Sequence, residues 1–260
     1  MQIGLFDSGI GGLTVLYEAQ KLLPNEDYIY YADTVNVPYG EKTKAEVAGL
    51  VFDAVTFIIK QGVKAVVIAC NTATSAAVEP LRARYDLPII GMEPAVKPAV
   101  KIGRNANKRV LVTATPMTLR EEKLHNLIER SDSSDIVDLL PLPGLVRFAE
   151  KLDFNSAAVI SYLQEQLKPY DLDAYEAVVL GCTHFIYYKD VLKKLLPSGV
   201  ELIDGNQGTV RQLKRVLNEK SLLCSNTKAG SVTYYNSGII AGEDDLLKYN
   251  RLLSQIERLN

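Results

Sequence analysis

The sequence predicts an α/β protein built on mainly parallel sheets and arranged in two similar halves. Three observations carry this prediction. Short β-branched runs alternate with segments of helical period along the chain. These runs are continuously apolar rather than alternating, as in strands covered on both faces. One phrase also occurs twice, "AVVIACN" at 65–71 and "AVVLGCT" at 177–183, each closing on a cysteine and a polar residue. Sheets of this kind bind ligands beyond the carboxyl ends of their strands, so the residues just after each strand carry the functional question.

Each element has its own justification. A strand over 3–6 leads through "DSGIGGLT" into a helix over 13–23 that stops at Pro24. A strand over 28–31 opens into the polar excursion "DTVNVPYG". The helix expected over 41–61 carries Val47, Val51, Ala54 and Ile58 on one face and ends at Gly62, a good residue just past a helix end. Strands follow over 65–69 and 89–91. "GMEPAVKP" then marks a crossing between halves, since Pro94 and Pro98 interrupt regular structure.

The second half repeats the theme, with a strand over 109–113, a polar turn "TATPMTLR" and a helix over 117–130 bearing Met117, Leu124, Leu127 and Ile128. A helix over 155–168 stops at Pro169, and one over 189–196 stops at Pro197. Strands at 177–181, 200–203 and 232–235 and helices at 207–217 and 244–259 complete the set. The last helices return to the first half. The expected division is 1–93 plus 208–260, carrying Cys70, and 94–207, carrying Cys182.

Composition narrows the function classes. At 260 residues, with 47% apolar and 23% charged residues, the chain has ordinary globular proportions. A net charge of −2 gives no basic surface for a phosphate backbone, so no nucleic-acid partner is expected. No window approaches the ~20 apolar residues of a membrane helix, so no membrane partner is expected either. The opening "MQIGLFDSG" lacks a basic n-region and a long apolar stretch, which argues against a secretion signal. Three cysteines in a chain of this size point to reduced thiols in the cytoplasm rather than disulfides.

The strand ends gather Asp7 and Ser8, then Asp33, then Cys70, Asn71 and Thr72 in the first half. Thr113, Thr115, Cys182, Thr183 and His184 gather in the second. A strand cysteine is most often core, but both of these leave their strands ahead of a helix, where exposed amides lower a thiol's pKa. Cys224 has no such setting and reads as packing, and His125, mid-helix, reads as surface. With no CxxC or HxxxH pair, no metal site is expected. "DSGIGGLT" lacks the GxGxxG spacing and any GKS or GKT, so it is not a nucleotide loop. Its glycines supply amides at a helix start, a seat for an anion, and Asp7 within it suits an amino group or, more simply, an N-cap.

"LFDSGIGGLTV", "PYG", "ACNTAT", "GMEP" and "GCTH", in this order and spacing, resemble the cofactor-independent glutamate racemases of the aspartate/glutamate racemase family. The resemblance covers nearly the whole chain. It implies two three-layer α/β domains related by a pseudo-two-fold axis, with the active site in the cleft between them. It implies no cofactor, a homodimer, and D-glutamate made for bacterial peptidoglycan. Cys70 and Cys182 match the catalytic thiols. Asp7 and Ser8, Tyr39 and Gly40, Asn71 and Thr72, and Thr183 and His184 match substrate-binding pairs, and Thr115 joins them. Asp33 and Glu150 match acidic positions near the site. Two departures stand out: "PGLVRFAE" has Arg147 where the family pattern has proline, and "GCTHFIYY" has Ile186 at a position usually proline.

Racemisation explains the duplicated phrase. One group removes the α-proton from one face while another delivers a proton to the opposite face, and reversal exchanges their roles, so the two should be chemically alike. A thiol from each half meets this need, with Asp7 and His184 as proton-handling neighbours. Rival readings are a sister racemase for aspartate or a hydantoin, a thiol redox or metal-binding protein, and an amino-acid-binding protein without catalysis. A pyridoxal-phosphate racemase is disfavoured because no lysine stands at the strand ends.

Overall fold

The computed structural model describes residues 1–131, 135–225 and 227–259. The first sheet is built from β1 (Ile3–Asp7), β2 (Tyr28–Ala32), β3 (Ala65–Ile68) and β4 (Ile89–Gly91), all parallel. The second contains β5 (Arg109–Ala114), β6 (Val137–Pro141), β7 (Tyr175–Leu180) and β8 (Glu201–Asp204), again parallel. Late in the chain β9 (Val232–Asn236) returns to pair parallel with β2, and β10 (Ile239–Ile240) closes the edge antiparallel to β9. The strand orders reveal the duplication. The first sheet contains β2-β1-β3-β4 and the second β6-β5-β7-β8, the same permutation, with the cysteine strands β3 and β7 in equivalent places.

The helices are α1 (Leu13–Leu22), α2 (Lys44–Lys60), α3 (Asn71–Arg84), α4 (Val96–Ala106), α5 (Pro116–Arg120), α6 (Glu122–Ser131), α7 (Pro143–Glu150), α8 (Ala157–Leu167), α9 (Lys189–Leu195), α10 (Asn206–Glu219) and α11 (Glu243–Leu259). Alternation along the strands sorts them into layers. Ile3, Leu5, Val67 and Tyr30 share a core with Leu13 and Leu16 of α1, Leu213 of α10 and Leu252 of α11. Phe6, Val66 and Ile68 face Val47 and Val51 of α2 and Ala77 of α3. In the second sheet Val110, Val112 and Val179 face Val96 and Val100 of α4. Leu111 and Val178 of that sheet face the other way, into the core that holds α1, α7 and α8, so this core runs from one lobe into the other.

The chain passes between the sheets twice, after β4 and after β8. The passages touch: a Cβ on Gly205 would lie 2.6 Å from the Glu93 carbonyl oxygen, so only glycine allows this approach.

Several expected elements change. The helix expected from residue 41 begins at Lys44, where Thr43 and Glu46 form a reciprocal capping box, and Gly62 past its end takes φ +77°. The single helix expected over 117–130 is two, because Glu121 is extended between α5 and α6. Pro98 does not break structure. It lies in the first turn of α4, where a missing N–H costs no hydrogen bond. Helices α4 and α7 and strands β6 and β10 were not expected, and the helix expected after Cys70 runs as α3 to Arg84. Cys224 is exposed, not packed. His125 is exposed as read, and among the described residues no helix is long and apolar enough to cross a membrane.

Candidate active site

Cys70 lies two residues past β3 and caps α3; its sulfur accepts from the Ala73 N–H at 3.4 Å and lies 3.6 Å from Ser8 Oγ. Cys182 follows β7, after Gly181, whose missing side chain lets its backbone lie against the Thr113 carbonyl. Both thiols are free and buried. Their surroundings differ in kind.

Around Cys182 a relay runs through the second lobe. The sulfur is 3.8 Å from His184 Nδ1, and His184 Nε2 is 2.6 Å from Glu150 Oε1. The same carboxylate oxygen accepts from the Ile10 N–H of the first lobe at 2.9 Å. Burial works against a charge on His184, but Cys182 and Glu150 outweigh it and hold the imidazolium well above the usual histidine range. Burial alone would raise Glu150, yet the hydrogen bond from His184 wins and the carboxyl falls below its usual range. The favoured state is therefore a cation beside Cys182, anchored by an anion.

Cys70 has a carboxylate as its charged neighbour instead. Burial, then the charge of Asp7, pushes its thiol up to about 12 against the pull of Ala73 N–H and Ser8. This corrects the expectation that helix-end amides lower it: the amide is present, but desolvation and a neighbouring carboxylate outweigh one hydrogen bond. Asp7 is fully buried, and burial raises its carboxyl to about 6 while His184 pulls the other way. It is not an N-cap. Its Oδ1 accepts from Gly9 N–H at 3.0 Å, and its Oδ2 accepts from Thr183 Oγ1 of the second lobe at 3.1 Å.

The glycine turn is thus occupied by the protein's own acids. Gly9 N–H serves Asp7 and Ile10 N–H serves Glu150, so these two amides are not a free anion seat. Two tyrosines fix the turn from behind. Tyr30 donates to the Gly9 carbonyl at 2.6 Å and Tyr187 to the Ile10 carbonyl at 3.0 Å. Neither was singled out from sequence, where each is one aromatic in an apolar run. The lobes meet so closely that a Cβ on Gly11 would lie 2.3 Å from Thr183 Oγ1 and 2.5 Å from His184 Nδ1.

The remaining expected residues divide in two. Asn71 and Thr72 lie at the start of α3, and the buried Asn71 Oδ1 has no hydrogen-bond partner. Thr72 Oγ1 lies 3.0 Å from Thr115 Oγ1 and 3.3 Å from Thr118 Oγ1, a hydroxyl cluster joining the lobes; Thr118 is a member that sequence reading missed. Asp33 is engaged elsewhere. It accepts from Tyr39 Oη at 2.6 Å, from Asn36 Nδ2 and from Ser237 Oγ, and so holds the loop that presents Tyr39 and Gly40. Among the described residues no three His, Cys, Asp or Glu side chains cluster as metal ligands.

The model of the family described as Asp/Glu/Hydantoin racemase matches residues 14–213. The glutamate racemase of Halothermothrix orenii is 53% identical, over 98% of this chain and 100% of that one. Glutamate racemase 2 of Bacillus subtilis is 53% identical, over 99% and 97%. The crystal structure of the Francisella tularensis glutamate racemase in complex with D-glutamate superposes with a TM-score of 0.82 at 30% identity, covering 98% of this chain and 93% of that one. That of the Escherichia coli enzyme with L-glutamate and the activator UDP-MurNAc-ala gives 0.81 at 30%, covering 97% and 95%. With two sulfurs at equivalent strand ends and these matches along its length, the chain belongs to the Asp/Glu/hydantoin racemase family.

Proposed function

We propose that this chain interconverts L- and D-glutamate by proton transfer between two thiols at the α-carbon, without a cofactor, and so supplies D-glutamate for peptidoglycan. The observation that carries the reading is the pair Cys70 and Cys182 at matching ends of β3 and β7, one from each lobe.

The reaction follows from their unequal surroundings. Cys182, with His184 Nδ1 3.8 Å from its sulfur, serves as the base. Cys70, its pKa raised, is the thiol, the acid. L-glutamate gives its α-proton to Cys182, and Cys70 delivers its own to the other face, which leaves Cys182 a thiol and Cys70 a thiolate. D-glutamate runs the same steps backwards from that second form, with Asp7 taking up or returning a proton near Cys70. The anionic intermediate is stabilised by donors on the α-carboxylate, for which Ser8, Asn71, Thr72 and Thr183 stand ready. The unpartnered Asn71 Oδ1 supports a role in holding the ammonium group. Tyr39, Gly40 and Thr115 complete the substrate wall, and Asp33 acts through Tyr39. The lobes 1–93 plus 208–260 and 94–207 close on the substrate, and the enzyme works as a cytoplasmic homodimer.

The test is incubation with L-glutamate in heavy water, with no cofactor added. The expected outcome is decay of the circular dichroism signal to zero and deuterium at the α-carbon. Aspartate and a hydantoin run in parallel assign the substrate. Binding of glutamate without exchange, or full turnover after Cys70→Ser or Cys182→Ser, refutes the proposal.

A further inference from the structure

Two ion pairs cross from the second lobe to one short segment of the first. Glu41 ends the 3-10 turn Tyr39–Glu41, and its two carboxylate oxygens accept from Arg147 Nε at 2.7 Å and Nη2 at 2.8 Å. Three residues on, Lys44 at the start of α2 donates to Glu121 Oε2 at 2.5 Å, at the junction of α5 and α6. Just before these pairs Gly40 lies against Thr115, where a Cβ would come within 2.7 Å of that side chain. The segment that presents Tyr39 and Gly40 is thus tied to the opposite lobe by one contact at Gly40 and two ion pairs just after it.

The partner helix matters as much as the segment. Arg147 lies three residues before Glu150 on α7, on the same side of the helix. The helix tied to Glu41 is therefore the one that presents Glu150 to His184 and to Ile10 N–H. One rigid element connects the surface ion pair to the Cys182 relay.

We infer that Glu41 and Arg147, flanked by Lys44 and Glu121, form an electrostatic latch that holds the lobes closed over the site. They are positioning residues for substrate capture and take no part in proton transfer. The inference rests on the racemase reading. An exposed ion pair inside a rigid body contributes little to stability. A pair between two lobes is different, because it exists only when they are together, and so it acts on the ratio of closed to open forms. Apparent affinity scales with the closed fraction, so loss of the latch raises KM and leaves kcat nearly unchanged. The Arg147 side chain is 65% exposed and that of Glu41 35%, so dissolved salt screens the pair.

The experiment is a charge cycle on the full chain, read as KM and kcat at low and high salt, with a thermal midpoint for each variant. Arg147→Ala and Glu41→Ala should each raise KM about 2- to 5-fold at low salt, the range of an exposed, well-aligned pair, with kcat held within about twofold. The double variant should be no worse than either single one, and the exchanged pair E41R/R147E should recover most of the loss. Raising the salt should increase KM more in the wild type than in the double variant. Unchanged KM in the single variants, additive losses with no recovery on exchange, or equal salt responses would overturn the latch. Wild-type turnover separates the two readings: without it the racemase proposal fails, whereas a turning-over wild type with insensitive variants removes the latch alone.

Discussion

Glu150→Gln tests the relay beside Cys182. The replacement keeps the shape and an acceptor for Ile10 N–H, but it removes the charge facing His184 Nε2 at 2.6 Å. A hydrogen bond to a charged group is worth ~1.5–3 kcal/mol, so losing this contribution should lower kcat/KM roughly 10- to 150-fold at neutral pH. Direction of titration supplies a second readout. Cys182 and Glu150 raise the histidine's pKa against burial, so the imidazolium of the wild type survives to higher pH than an ordinary histidine's. Without the carboxylate it is lost earlier, and the alkaline limb of the kcat/KM profile should move to lower pH. The assay is initial rates of circular dichroism change for both enantiomers across pH. A drop of less than about threefold with an unmoved limb would refute the relay. A large drop with an unmoved limb would assign Glu150 to holding the lobes through Ile10 and not to the charge on His184.

Two further substitutions probe the same interior. Asp7→Asn should stabilise the protein while harming catalysis: a carboxyl raised from 3.8 to about 6 binds more protons folded than unfolded, so native stability falls as pH rises through that window. Removing the charge should recover on the order of 2–3 kcal/mol at neutral pH, shrinking to nothing as pH falls toward 3.8, read from thermal unfolding at several pH values; an equal difference at all pH values would contradict it. Gly11→Ala places a methyl within 2.5 Å of both Thr183 Oγ1 and His184 Nδ1, so these side chains or the lobes that carry them must shift. Turnover should fall by at least about 100-fold, as misplacement by about 1 Å does, with melting little changed, and near-normal turnover would contradict the close approach.

What was legible in the sequence was whatever lies at the end of a strand. Cys70, Asn71, Cys182 and His184 stand there because continuous apolar runs announce β3 and β7, and the repeated phrase announced two sheets of one pattern. What was not legible depends on partners brought from far along the chain. Tyr30 and Tyr187 hold neighbouring carbonyls of one turn from different lobes, which no local pattern reveals. The extent of α3 went unread because "NTATSAAVEP" has no apolar stripe and holds Pro80, and β6 because an edge strand ending at Pro141 is only half-buried. The raised Cys70 pKa shows the same limit. Position predicted a helix-end amide, and the amide is there, but a thiol's proton affinity is set by everything within reach, including the depth of burial that only packing decides.

Duplication gave the two sulfurs equivalent places in the topology and unequal chemistry around them. Racemisation has an equilibrium constant of unity, so kcat/KM must be the same for both enantiomers whatever surrounds each thiol. The asymmetry therefore cannot favour a product. On the proposed mechanism it sets which form the free enzyme rests in: burial and Asp7 hold Cys70 as the thiol, the acid that serves L-glutamate. D-glutamate needs the rarer form, so its apparent affinity is reduced by that rarity. Equality of kcat/KM then requires kcat for D-glutamate to rise by the same factor as its KM. On that mechanism the carboxyl near 6 beside Cys70 and the imidazolium beside Cys182 are the groups placed to carry protons between the two resting forms.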